Sequence, residues 1–150
     1  NRFVDDGMYL ATILICEAMR LKRCDRLLGD LLEDLQEPVE SVEIRLPIKT
    51  EDFHAKGIET IESVMEYANT NNDWHIAPDN REGVRINFDL DGQVNNAWFL
   101  LRLSVHDPVL PLNAESDVVN GVNQILSELY NVLKQTDGID ITPLHEYLEK

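Results

Sequence analysis

Long apolar runs are scarce in this 150-residue chain. The longest, over residues 8–16, is interrupted by Thr12 and falls far short of the ~20 residues that a membrane-spanning helix needs. Basic residues are scarce too: 13 Lys and Arg stand against 28 Asp and Glu, a formal net charge of -15. Such a surface repels nucleic acid and anionic membranes, so neither is expected as a partner. Only two cysteines occur, Cys16 and Cys24, eight positions apart with no second pair nearby. That spacing suits neither a zinc site nor a disulfide framework and points to a reducing, cytoplasmic location. There is no signal peptide pattern, internal repeat, glycine-rich phosphate loop or nucleophile elbow. His54, His75, His106 and His145 lack metal-ligand spacing. On residue chemistry alone, the chain carries no self-sufficient active site and no cofactor site.

What is present is ordered amphipathic pattern. Residues 8–21 read as a helix apolar almost all round, with Asp5-Asp6 as its cap. It is either a core helix of this domain or the last helix of a preceding α/β domain. The second reading accords with an opening, "NRFVDDGMY", that has no initiator Met and begins mid-pattern, as a piece of a longer protein would. "DRLLGDLLEDLQ", residues 25–36, reads as a short amphipathic helix stopped by Pro38. A domain boundary is expected over residues 37–40.

From Val42 the period becomes two. "VEIRLPI" alternates Val42, Ile44, Leu46 and Ile48 with polar neighbours. A helix follows over 51–69, then a short strand at 74–76. "VRINFDL" alternates over 84–90, and "DGQVNN" reads as a turn. Strands follow over 97–105 and 109–115. A long helix capped by Ser116 or Asp117 runs to about 135, and a short one begins at Thr142 and Pro143. The order β-α-β-β-β-β-α with hairpin links predicts an α+β, two-layer fold: a mostly antiparallel sheet with two helices on one face.

One strand end carries chemistry. In "AWFLLRLSVHDPVLPLNAES" the odd positions Phe99, Leu101, Leu103 and Val105 read as the core face. Arg102, Ser104 and His106 then project to the other face, just before Pro108 ends the strand. A guanidinium fork, a hydroxyl and an imidazole beside loop amides can hold an oxyanion or phosphate. The alternative is an Arg102 paired with one of the many carboxylates and a Ser104 facing solvent.

These residues resemble the C-terminal part of the α-D-phosphohexomutases, the phosphomannomutases and phosphoglucomutases. That family's phosphate loop reads R-x-S-[G/N]-T-x-P at a strand end; this chain has "RLSVHDP" followed by an apolar strand and a long helix. "EGVRINFDLDG" is similar to the family's "DGVR" strand and turn. "FVDDGMYLATILICEAM" resembles the last helix of its third domain, and "LLEDLQEPVESVEIRLPI" its entry to domain four.

The resemblance implies helices and linker of a preceding α/β domain over 1–36. Residues 41–136 become the phosphate-binding domain and 137–150 an extension. It implies a substrate-phosphate site at Arg102, Ser104, Val105 and His106. Val105 stands where the family has Gly or Asn, and His106 where it has Thr. An imidazole there can replace the Thr hydroxyl as donor and binds phosphate best when protonated.

The whole enzyme so implied interconverts hexose 1- and 6-phosphates through a phosphoserine and a bisphosphorylated intermediate, with Mg²⁺ held by an Asp-rich loop. Its catalytic serine and metal loop belong to upstream domains of the same chain. The partners here are therefore a hexose phosphate, through its phosphate group, and those upstream domains. A non-catalytic α+β ligand-binding or interaction module is the alternative.

Overall fold

The computed structural model describes residues 7–78, 80 and 83–150; the expected Asp5-Asp6 cap lies outside them. The chain divides into two compact units, one up to Glu37 and one of Pro38–Lys150.

The first unit contains α1 (Gly7–Lys22) and a 3₁₀ turn over Leu28–Leu32. Met8, Leu10, Ile15 and Met19 of α1 lie exposed. The expected amphipathic helix over 25–36 shrinks to that single turn. The reason is local: Leu27, Leu31, Leu32 and Leu35 are all exposed, so no burial supports a longer helix, and Gly29 weakens it further. No described helix is long and apolar enough to cross a membrane.

The second unit holds β1 (Glu40–Pro47), α2 (Phe53–Thr70), β2 (His75–Ile76), β3 (Gly83–Leu90), β4 (Gln93–Arg102), β5 (Val109–Ser116), α3 (Gly121–Leu133) and α4 (Thr142–Leu148). The strands form one sheet in the order β1-β5-β4-β3-β2, and every neighbouring pair is antiparallel. Alternation sends Ile44, Leu46, Val84, Ile86, Phe99, Leu101, Leu110 and Leu112 to one face, where all are buried. Val64 and Ala68 of α2, and Ile125, Leu126 and Leu129 of α3, close that face. The fold is α+β in two layers. The expected short C-terminal helix joins the two expected on that face: Leu144 of α4 is fully buried in the same core.

Two local details depart from expectation. The β3–β4 connection is shorter than "DGQVNN": Asp91 (φ 52°) and Gly92 (φ 78°) alone make the turn. Strand pairing resumes at Leu90 with Gln93, and a bulge near Asp89 absorbs the misfit. Buried Asn96 bridges it, accepting from Leu90 N at 2.8 Å and donating to Leu90 O at 2.9 Å.

Ser116 and Asp117 do not cap the long helix either. Ser116 instead exchanges hydrogen bonds with the Val118 backbone, and α3 starts later, after Asn120. Its first amides are taken by a distant carboxylate: Glu40 accepts from Asn120 N at 2.6 Å and Val122 N at 3.0 Å. An anion there satisfies orphan donors and complements the helix dipole. Burial, and secondarily the Glu40 charge, push the Tyr147 phenol above its ordinary range. Glu40→Ala should therefore destabilise the second unit by about 1–2 kcal/mol. Urea unfolding measures this, and Tyr147 should titrate lower in the variant.

Candidate functional site

β4 and β5 form a hairpin, and its end carries the candidate site. Their ladder runs from Ala97 opposite Ser116 to Leu101 opposite Leu112. The same register carried on puts Arg102 across from Pro111 and Ser104 across from Val109. Ser104 N does donate to Val109 O, at 3.1 Å. Regular pairing nonetheless stops at Leu101, because Pro111 has no N–H to give. Arg102 is thus the last residue of β4, and the loop proper is residues 105–108.

This corrects one expectation. Val105 does not continue the core face; it is 73% exposed at the loop tip. Its φ is not positive, in keeping with a β-branched side chain; the described non-glycine residues with positive φ are Asp25, Asp91, Asn95 and Asn120.

The other predicted residues sit as follows. Phe99 and Leu101 are fully buried, whereas Trp98, Leu100 and Arg102 are half-buried on the opposite, open face of the sheet. Ser104 is half-buried and its Oγ accepts from Asp107 N at 3.3 Å, which leaves the hydroxyl hydrogen free to donate. His106 is exposed. Arg102, Ser104 and His106 make no hydrogen bond to one another. The Val105 and His106 amides donate to no acceptor among the described residues.

Arg102 itself has no carboxylate partner among the described residues. Arg20, Arg26 and Arg45 each have one: Glu17, Asp30 and Glu43. Arg23 and Arg85 also lack one, but both are exposed, so among the described residues Arg102 is the half-buried guanidinium without a carboxylate in a chain of net charge -15. A fork of donors beside two open amides and a hydroxyl can take a phosphate or carboxylate group.

The loop is held at its roots. Pro108 O accepts from Ile48 N at 2.7 Å, tying the loop to the end of β1. Leu103 packs beneath it against Gly57 of α2. Gly83 of β3 pairs directly with Arg102.

Several contributors were not expected from the sequence. Pro111 carried a readable signal, a proline inside an apolar strand. Arg85 pairs opposite Leu100 and stacks over the Trp98 ring at 4.2 Å on the same open face; only the register reveals that meeting. Elsewhere, His75 approaches Asp89 at 3.6 Å and His145 approaches Glu149 at 3.7 Å. Among the described residues no three His, Cys, Asp or Glu side chains come together as a metal-ligand set.

No family model and no curated protein matches the chain. A solved structure does: the crystal structure of a phosphoglucomutase/phosphomannomutase family protein from Burkholderia thailandensis. The two are 21% identical, with a TM-score of 0.53, over 88% of this chain and 24% of that one. The chain therefore spans about a quarter of the length of that relative. What they share is the fold, which in this chain is an α+β arrangement with a five-stranded antiparallel sheet.

Proposed function

We propose that residues 41–136 are the phosphate-gripping domain of a phosphohexomutase, an isomerase that interconverts hexose 1- and 6-phosphates. The observation that carries this reading is Arg102: a half-buried guanidinium without a carboxylate partner among the described residues, at a hairpin end whose Val105 and His106 amides have no acceptor among them, in a strongly acidic chain. The likeness of fold to a phosphoglucomutase/phosphomannomutase family protein adds to it, as analogy.

In this reading Arg102 takes the non-transferred phosphate of the substrate in its donor fork. Ser104 and the Val105 and His106 amides complete the cradle, with His106 as a further donor. Gripping that phosphate orients the sugar and supplies binding energy to a reacting centre elsewhere in the enzyme. Residues 1–36 are then the terminal helices of the preceding α/β domain, whose sheet covers the open apolar residues of α1. The segment 36–40 is the hinge on which the gripping domain moves over the cleft. The phosphoserine and the Mg²⁺ loop belong to the upstream domains, and no step of the chemistry runs through the residues described here.

Titration of the chain with inorganic phosphate and then a hexose 6-phosphate tests this. Amide shifts should concentrate at Ser104, Val105 and His106. No shift there at millimolar phosphate overturns the assignment, and mutase turnover by these 150 residues alone overturns the division of labour. The exposed Leu10 and Leu14 of α1 favour a second reading, an interaction module. Concentration-dependent association through them, with no phosphate response, would support it.

A further inference from the structure

We infer that Gly83 is a positioning residue for the anion, acting through Arg102; this rests on the phosphate-gripping reading above. Gly83 opens β3 and lies directly opposite Arg102 in the β3–β4 ladder. Its φ is 153°, a conformation that side-chain-bearing residues rarely adopt. A Cβ on Gly83 would overlap the Leu101 carbonyl oxygen and come within 2.8 Å of Arg102 Cα and 2.9 Å of Arg102 Cβ. All three atoms belong to the last two residues of β4. Two of them are backbone, so they cannot swing aside as a side-chain tip does. Any side chain at position 83 therefore moves the root of the guanidinium arm.

A matching glycine acts from the other side. A Cβ on Gly57 of α2 would lie 2.5 Å from Leu103 Cδ1, the side chain between Arg102 and Ser104. Its neighbour is a flexible side-chain end, so the strand root has more room to escape. The two glycines set β3 and α2 close against consecutive residues of the site: Gly83 fixes where the Arg102 arm begins, and Gly57 fixes the depth of Leu103 beneath it. An anion clamp depends on such placement, since displacements of about 1 Å cost up to 100-fold.

The test is phosphate affinity of the full 150-residue chain, read by amide shifts under conditions where each variant is folded. Gly83→Ala is expected to weaken inorganic phosphate binding roughly 10-fold. Gly121→Ala is the control, because its Cβ meets Ser116 and Leu90 rather than Arg102, Ser104 or the loop. It loses stability but keeps wild-type phosphate affinity. A folded Gly83→Ala with wild-type affinity overturns the inference while the phosphate reading stands. A wild-type chain that binds no phosphate overturns both. If Gly83→Ala does not fold, Gly57→Ala decides: a loss of roughly two- to threefold is expected, and unchanged affinity refutes the positioning role.

Discussion

Arg102→Ala is expected to weaken inorganic phosphate binding by about 1.5–3 kcal/mol, roughly 10- to 150-fold in Kd. The magnitude follows from charge assistance. The guanidinium is the one permanently charged donor among the four proposed cradle residues, and the chain around it carries a net charge of -15. Remove it, and the Ser104 hydroxyl, the two amides and the His106 imidazole are left to hold a dianion against that field. Stability should barely change, because Arg102 gives up no ion pair or hydrogen bond among the described residues.

Two controls isolate the effect. Arg102→Lys keeps the charge but loses the planar fork, and should recover only part of the affinity. Arg45→Ala removes an exposed guanidinium already held by Glu43 at 3.0 Å, and should leave Kd unchanged. Isothermal titration at fixed ionic strength distinguishes these outcomes. Equal losses from Arg102→Ala and Arg45→Ala would reduce the site to general electrostatics, and no loss from Arg102→Ala would end the assignment.

The sheet was legible where alternation was strict. Val84, Ile86 and Phe88 declare their face without help, and so do Phe99 and Leu101. The period could not locate the end of β4. A period-two reading sees Val105 as the next inward residue, whereas the register with β5 and the missing N–H of Pro111 stop the strand at Arg102. The cap of α3 was invisible for a different reason. Ser116 and Asp117 satisfy every local rule for a helix start, yet Glu40 takes the amides from 80 residues away. Short leucine-rich patterns misled as well: residues 25–36 have the spacing of a helix but nothing among the described residues on which to bury it. At the candidate site, the placement of Arg102 on the open face of the sheet could be read from the pattern alone. The glycine that seats Arg102 could not, because strand pairing, absent from linear spacing, brings it there.

Phe99→Ala is expected to destabilise the second unit by about 3–5 kcal/mol. Phe99 is fully buried at the centre of β4, with its ring 5.3 Å from Trp74 and 5.7 Å from Phe88. Those rings meet edge-on and tilted, a geometry that adds to simple burial. Truncation opens a cavity walled by rigid strands and two aromatic rings, and such a site collapses poorly. Domains of this size are stable by only about 5–15 kcal/mol, so the loss is a large fraction of the whole.

Urea unfolding should show a lower midpoint with an unchanged m-value, followed through Trp74 fluorescence. Trp98, on the open face under Arg85, should report the same midpoint if the second unit unfolds as one. Phe99→Leu keeps most of the volume and should cost much less, under about 1.5 kcal/mol. A loss below about 1 kcal/mol for Phe99→Ala would contradict the two-layer packing itself. The functional consequence follows from position: Phe99 anchors the strand that ends three residues later at Arg102. In the folded fraction of Phe99→Ala phosphate should still bind, with affinity reduced only as far as a loosened β4 lets the guanidinium wander. Full retention of affinity at reduced stability would assign the aromatic core to the fold alone and leave the placement of Arg102 to its neighbours on β3 and β5.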